Sequence, residues 1–464
     1  MSKYPSFILL TALAAALTLS CQKEIIPAIE PVEELSEEEI LSLVRTDVTN
    51  TAYYKDIFLD GGCELNPGIK ENGVVINGRL PYALQKAGLT DAEYFLSTVD
   101  DVGEGYTTSD LKLQTEIISG TPDDLNGVLL YPDGEPRFRL FFAFGGHSNP
   151  HGSSLGLNGR ERVRTFYERG GSFAGSCAGA FLSGAYANGR WRNYFNIWKG
   201  GNMISTDVGN SSIDMLIDSD IFSQYYGPSK GSLIKGIRHN GGGFMDTRRA
   251  PEGTEVIALF KDEAGRNSTK ENYYDQPSVW AYKASAESGR LLVTGSHPED
   301  APSGDILNLT ASMFRYAWDG AGTAKVKEVL RSRDLIPVRP GIGDLQCHHF
   351  VLYPAADVEN LSIKVSWSGD YDLELYLKRD SFAFPDADPD YSSTHSSDGS
   401  NTLVTGPLEK GLWYVTVRCA TTVGAKEIVT DPASGKGRYF LYYGKKDVLN
   451  GVPYSIMAEW DYKR

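Results

Sequence analysis

A cysteine at the end of a short apolar run is the first feature with chemistry in it. The run is Gly170-Gly171-Ser172-Phe173-Ala174-Gly175-Ser176-Cys177-Ala178-Gly179-Ala180. Small residues flank Cys177 on both sides, and helix-forming residues follow at once. A nucleophile carried on a tight strand-to-helix turn needs this pattern, because larger neighbours would collide with the adjoining strand. A helix starting behind the sulfur favours the thiolate. The Ala178 amide is then aimed where an oxyanion would form. A thiolate nucleophile also needs a base, and the base needs an orienting group. Of the seven histidines, His297 stands out, at the end of the apolar run Leu291-Leu292-Val293-Thr294-Gly295-Ser296. Glu299, two residues on, can accept from the ring and set its tautomer, and Pro298 stiffens the spacing. Cys177, His297 and Glu299 read as a Cys-His-Glu triad for acyl transfer, chemistry that calls for no metal and no organic cofactor.

Those residues need strands that end along one edge. Phe138 to Phe144 is a strand ending at Gly145-Gly146, Ser172 to Gly175 leads into the cysteine, and Arg290 to Thr294 leads towards the histidine. Tyr53 to Leu59 and Glu93 to Ser97 add two more strands. Helical spacing runs over Leu80 to Ala87, closed by Gly88, and over Asn158 to Arg169, stopped by Gly170. It returns at Ala178 to Tyr186 and Leu307 to Trp318. Strands and helices alternating in this way predict a parallel sheet with helices on both faces. Open sheets of that kind place their sites at the carboxyl ends of the strands. Ser232 to Val293 is more sheet-rich; Lys325 to Ser332 reads as a last helix, and Leu335 to Gly343, with its two prolines and two glycines, as a linker.

The GxCxG elbow, followed about 120 residues later by a strand ending His297-Pro298-Glu299, resembles the class I glutamine amidotransferase-like superfamily. Within it, residues 170–180 look like the GG-x-x-x-G-x-CAGA pattern of the subgroup similar to the N-terminal domain of biotin-protein ligase. Ile237-Arg238-His239-Asn240-Gly241-Gly242-Gly243-Phe244 and Arg290 to Glu299 look like that subgroup too. The likeness spans roughly residues 50–320. It implies a flavodoxin-like doubly wound α/β sheet, with Cys177 as nucleophile, His297 as general base and Glu299 as its orienter. It also implies oxyanion amides at Gly146 and Ala178. A domain of this kind needs about 200 residues, so the extra stretches Thr107 to Arg137 and Asn193 to Lys230 read as a lid or a substrate wall. With no adjoining synthase domain to use ammonia, hydrolysis fits better than transfer. The expected substrate is a small-molecule, peptide or glycan-linked amide.

Residues 1–20 read as a secretory signal: Lys3 supplies the positive region, and Phe7 to Leu19 is too short for an ordinary spanning helix. Leu17-Thr18-Leu19-Ser20-Cys21 resembles the lipobox of bacterial lipoproteins. That implies diacylation of Cys21 and attachment to a membrane. The acidic stretch that follows is similar to export tags found on outer-surface lipoproteins of Gram-negative bacteria. A composition of 41% hydrophobic and 23% charged residues excludes a disordered or fibrous chain. The 45 basic and 60 acidic residues, with no Lys/Arg-rich stripe, argue against nucleic acid as a partner.

The remaining cysteines and histidines have two readings each. Cys63, after Gly61-Gly62, lies in the loop behind the first strand, where it is a pocket residue or a plain thiol. Cys347 and Cys419 either pair in an oxidising compartment or stay as buried thiols. Gly145 and His147 belong to the loop after the third strand and can line the pocket, with His151 close by, or face solvent. His239, before Gly241–Gly243, is a pocket or a structural histidine. His348 and His349 point to opposite faces of a strand, so with Cys347 they make no metal site.

Beyond Gly343 strict alternation takes over, at Leu361 to Trp367, Tyr371 to Leu377, Trp413 to Val417 and Tyr454 to Trp460. It predicts a β-sandwich of about 120 residues. Asp370-Tyr371-Asp372-Leu373-Glu374-Leu375-Tyr376 and Gly411-Leu412-Trp413-Tyr414-Val415 resemble strands of bacterial pre-peptidase C-terminal domains, which implies attachment to substrate or surface. Asp386, Asp388 and Asp390 offer oxygens suited to Ca²⁺ but lack the glycine and glutamate of an EF-hand loop, so a solvated acidic loop is the plainer reading. The chain therefore divides into a signal (1–20), an acidic tether (21–48), an α/β domain (49–334), a linker (335–344) and a sandwich (345–464). The leading expectation is a periplasmic or surface lipoprotein with a cysteine-nucleophile hydrolase domain. Its rival is a non-catalytic binding lipoprotein on a retired amidotransferase fold.

Overall fold

Phe138-Arg139-Leu140-Phe141-Phe142-Ala143 and Ser172-Phe173-Ala174-Gly175-Ser176 carry apolar residues at successive positions, which suits strands buried on both faces. In the computed structural model they lie side by side in a nine-stranded sheet. The structure describes residues 33–60, 70–71, 74–75, 80–89, 94–97, 118–185, 193–261, 272–396, 398–431 and 436–463. In chain order the sheet's strands are β1 (Lys55–Asp60), β2 (Tyr94–Ser97), β3 (Phe138–Ala143), β4 (Ser172–Ser176) and β5 (Ser211–Ile217). They continue with β6 (Leu233–His239), β7 (Glu255–Phe260), β8 (Pro277–Lys283) and β9 (Arg290–Thr294). Across the sheet the order is β2-β1-β3-β4-β9-β8-β7-β5-β6.

The first five in that order pair in parallel. The rest are antiparallel. The expected parallel sheet is thus only one half of a mixed one. Antiparallel neighbours need no crossover helix, which is why the sheet-rich stretch shows no helical spacing.

Successive residues serve opposite faces. Ile57, Leu59, Leu140, Phe142, Ala174 and Leu292 join one core with residues of α2 (Leu80–Lys86) and α6 (Gly304–Trp318). Phe58, Phe141, Phe173, Leu291 and Val293 join the other with Val163, Phe166 and Tyr167 of α4 (Gly156–Glu168). Two short helices lie at the carboxyl ends of the strands, α3 (Ser148–Ser154) and α5 (Ala178–Ser183). A six-residue α1 (Glu37–Ser42), capped by Ser36 and Glu39, precedes the sheet. No helix among the described residues is long and apolar enough to cross a membrane.

The C-terminal part contains β10 (Val326–Val329), β11 (Leu335–Ile342), β12 (Cys347–Leu352), β13 (Val358–Trp367) and β14 (Leu373–Arg379). After them come β15 (Tyr391–Ser393), β16 (Ser400–Thr405), β17 (Trp413–Cys419) and β18 (Val452–Tyr462). They form two sheets, β10-β12-β17-β14-β15 and β11-β18-β13-β16. Phe350, Leu375 and Val415 of the first share a core with Ile363, Leu403 and Ile456 of the second.

Two expectations are corrected here, and one open question is settled. The last predicted helix contains β10, whose valines pair beside β12; β-branched residues accept an extended neighbour readily. The predicted linker is β11, an edge strand paired with β18 alone. Pro337 and Pro340 are tolerated there because an edge leaves one row of N–H groups unused. Cys347 and Cys419 are free thiols. Cys347 lies opposite Arg418 in the β12–β17 ladder, so Cys419, one residue on, points to the other face. In the acidic loop the Lys378 ammonium donates to the carbonyls of Ala387 and Asp388, and Asp390 accepts from the Arg379 amide at 2.8 Å. Among the described residues no His, Cys, Asp and Glu side chains gather as metal ligands.

A buried charge cluster joins the two parts. The Arg137 guanidinium, 2% exposed, bonds Asp124 at 3.3 Å and, across the junction, Asp344 at 3.2 Å. Asp133 meets Lys327 at 2.8 Å and His348 at 3.4 Å.

Candidate active site

Cys177 stands directly after β4 with φ 48° and ψ −106°. A left-handed backbone of this kind costs a non-glycine residue about 1–3 kcal/mol and must be imposed by its surroundings. Here its N–H donates to the Thr294 carbonyl at the end of β9, at 2.9 Å, while α5 begins at the next residue. The small neighbours are sterically required. A Cβ on Gly175 would sit 2.8 Å from the Gly179 carbonyl carbon, and one on Gly179 would sit 2.2 Å from the Ala143 carbonyl oxygen.

His297 follows β9, and its N–H is tied to the Arg238 carbonyl on β6 at 2.9 Å. Its Nδ1 is 3.1 Å from Glu299 Oε1, and the ring shares the cleft with the Cys177 side chain, which favours its charged form. The ring packs on Gly145 so closely that a Cβ there would be 2.3 Å from Cε1. Burial works against a charged ring, but the neighbouring Cys177 and Glu299 side chains outweigh it and the pKa is pushed up to about 11. An imidazolium held this way is the partner a thiolate needs and the acid a leaving amine needs. One contact pulls the other way. Cys177 Sγ lies 3.6 Å from the Asn240 carbonyl, which accepts from a thiol and repels a thiolate.

Cys177, His297 and Glu299 are buried, at 5%, 6% and 4% exposure, beside an open cleft of about 380 Å³. Gly146, His147, Asn149, Phe181 and Asn240 line the cleft with Cys177 and His297. Gly146 has φ +126°. Among the described residues neither its N–H nor that of Ala178 has an acceptor, as oxyanion donors require before substrate arrives. The stretch after Asn193 does meet the cleft wall: Tyr194 Oη is 2.9 Å from Ser148 Oγ, and Asn193 donates to Asn149 at 2.7 Å.

Two histidines take structural places. His239 is fully buried and lines no part of the cleft; its ring bridges Thr206 at 2.6 Å and Ser296 at 2.9 Å. It braces the loop that carries His297. His151 is no solvent-loop residue either: its Nε2 is 2.7 Å from Asp60 Oδ2, both fully buried. Cys21 and Cys63 lie outside the described residues. Two residues escaped the sequence reading. Ser176 Oγ donates to Glu299 Oε1 at 2.6 Å, and its only signal was a polar side chain inside an apolar strand, next to the cysteine. Asn240 faces the sulfur through its backbone, which no side-chain pattern announces.

No protein-family model matches the chain, and no curated protein does. Solved structures align with it in part. A putative ThuA-like protein from Bacteroides uniformis aligns over 58% of this chain and 93% of its own, at 13% identity and TM-score 0.33. A glutamine amidotransferase covers 52% of this chain and 90% of its own, at 15% and 0.30. The pre-peptidase C-terminal domain of a Bacillus anthracis collagenase covers 29% and 98%, at 12% and 0.19. Likeness at this level carries no functional inference, so the reading of this site rests on its own geometry.

Proposed function

We propose that this chain is a cysteine-dependent amide or peptide hydrolase built on a flavodoxin-like, amidotransferase-type α/β domain. Cys21 anchors it as a lipoprotein on the periplasmic or outer face of a Gram-negative membrane, and the C-terminal sheets act as a β-sandwich that holds it against its substrate. The observation that carries the reading is the meeting of Cys177 and His297 in one cleft, with His297 bonded to Glu299 and the cysteine forced into a left-handed turn at a strand end. In the reaction the Cys177 sulfur adds to the carbonyl carbon, and the oxyanion is held by the Gly146 and Ala178 amides. His297 gives its proton to the leaving nitrogen as the C–N bond breaks, leaving a thioester and a neutral imidazole. That imidazole takes a proton from water, whose oxygen attacks the thioester. The acid product departs, and the sulfur and the protonated ring return to their starting state.

The test is the rate of iodoacetamide alkylation at Cys177, followed on its own peptide by mass spectrometry. At pH 6 we expect it to exceed that of a cysteinyl peptide by at least about tenfold, and His297→Ala to remove the excess. Equal rates in protein, variant and peptide would refute a nucleophile–base pair. A second reading, a binding protein with a retired thiol, is favoured by the Asn240 carbonyl against the sulfur. It expects slow alkylation with or without His297.

A further inference from the structure

Glu299 is a buried carboxyl, and the structure brings two donors to it, both on the same oxygen. Oε1 receives the Ser176 hydroxyl at 2.6 Å and His297 Nδ1 at 3.1 Å. Oε2 is buried with no hydrogen-bond partner. A carboxyl buried away from water is held in place by the donors that replace its lost hydration. Ser176 is the nearer of the two, and it is itself 1% exposed, so water cannot readily replace it. It also stands in a telling place. It ends β4, one residue before the nucleophile, and sits opposite Thr294 on the strand that leads to His297. Among the described residues the ionisable groups near this carboxyl are His297 and Cys177, with Asp300 next in sequence and paired to Arg238, and His239 behind Ser296.

We propose that Ser176 is a positioning residue of the triad: its hydroxyl fixes Glu299 Oε1 where His297 Nδ1 meets it. This rests on Cys177 and His297 acting as nucleophile and base. Without the hydroxyl, Oε1 keeps one of these two donors, and the carboxyl is free to turn away from His297. His297 then loses the negative charge that supports its own positive one. Ser176 touches neither sulfur nor substrate and acts through Glu299 alone.

The experiment follows Cys177 alkylation from pH 6 to 9 in the full mature chain, with Ser176→Ala, Glu299→Gln, the two combined, Ser176→Thr and His297→Ala. Ser176→Ala is expected to lower the pH 6 rate about three- to tenfold, the loss of up to one pKa unit of support. Glu299→Gln should lower it at least as far, and adding Ser176→Ala to Glu299→Gln should change nothing more. Ser176→Thr, which keeps the hydroxyl, should restore the profile. Cys347 and Cys419, both free, report in the same digest whether any variant has loosened. The proposal is overturned if Ser176→Ala alkylates like the parent while Glu299→Gln is slow, or if the double variant loses the product of both effects. If neither His297→Ala nor Glu299→Gln slows the reaction, the triad itself falls and takes this role with it.

Discussion

At the scale of single residues the site depends on missing side chains as much as on present ones. Gly145 leaves room for the His297 ring and Gly179 for the carbonyl of Ala143. Gly145→Ala is therefore expected to push the ring off its line to Cys177. It should reduce pH 6 alkylation by about tenfold or more while the far-UV circular dichroism stays unchanged, since the methyl meets a side chain and not the sheet. Gly179→Ala should behave differently. Its methyl meets backbone, so overpacking of about 1–3 kcal/mol is expected in denaturant unfolding as well as loss of reactivity. The raised pKa of His297 has a stability consequence. A ring protonated more tightly when folded stabilises the fold fully below its unfolded value of about 6.5. That contribution is lost as pH rises through the folded value of about 11.

At the scale of elements, the strands decide which residues meet. Phe141 stacks on Phe173 at 5.3 Å, so β3 and β4 reach their carboxyl ends in register. Those ends carry Gly146 and Cys177. The edge strand β11 gives the sharpest test of an element that reads otherwise in sequence. Ile342 is fully buried and Leu335 is 65% exposed. Ile342→Ala should cost about 2–5 kcal/mol, and Leu335→Ala should stay within about 0.5 kcal/mol, both read as shifts in the urea midpoint. A flexible linker would make both changes silent.

At the scale of the whole molecule, buried charge and buried histidine sit where the two parts meet. Burial pushes His348 down to about 4 and His349 down to about 3. Both rings are neutral when folded and free to take protons when unfolded, at about 6.5. The unfolded state therefore binds more protons as pH falls below that value. Stability should drop from about pH 6.5 towards pH 3, and denaturant midpoints measured across that range should show it. His349→Gln should flatten the slope. The anchor is tested at this scale too: Cys21→Ser should move the chain from the membrane fraction to the soluble one.

The elbow at Cys177, the His297-Pro298-Glu299 step and the alternating strands beyond Gly343 were legible in the sequence, because each is set by neighbours a few residues away. Steric room for a tight turn and the two periodicities of strand and helix are local properties. Local patterning failed at Leu335–Ile342, where two prolines resemble a linker until a partner strand is known, and at Val326–Val329, where pairing beside β12 overrode a helical reading. It could not show that the sheet turns antiparallel past β9, that His239 braces the His297 loop instead of lining the cleft, or that Arg137 is buried between two parts of the chain. Nor could it show that Ser176, 123 residues from Glu299, is that carboxylate's nearest donor. Those facts follow from strand order, which depends on the summed burial of both faces of the sheet. Only the folded chain brings such distant donors and acceptors within 3 Å of one another.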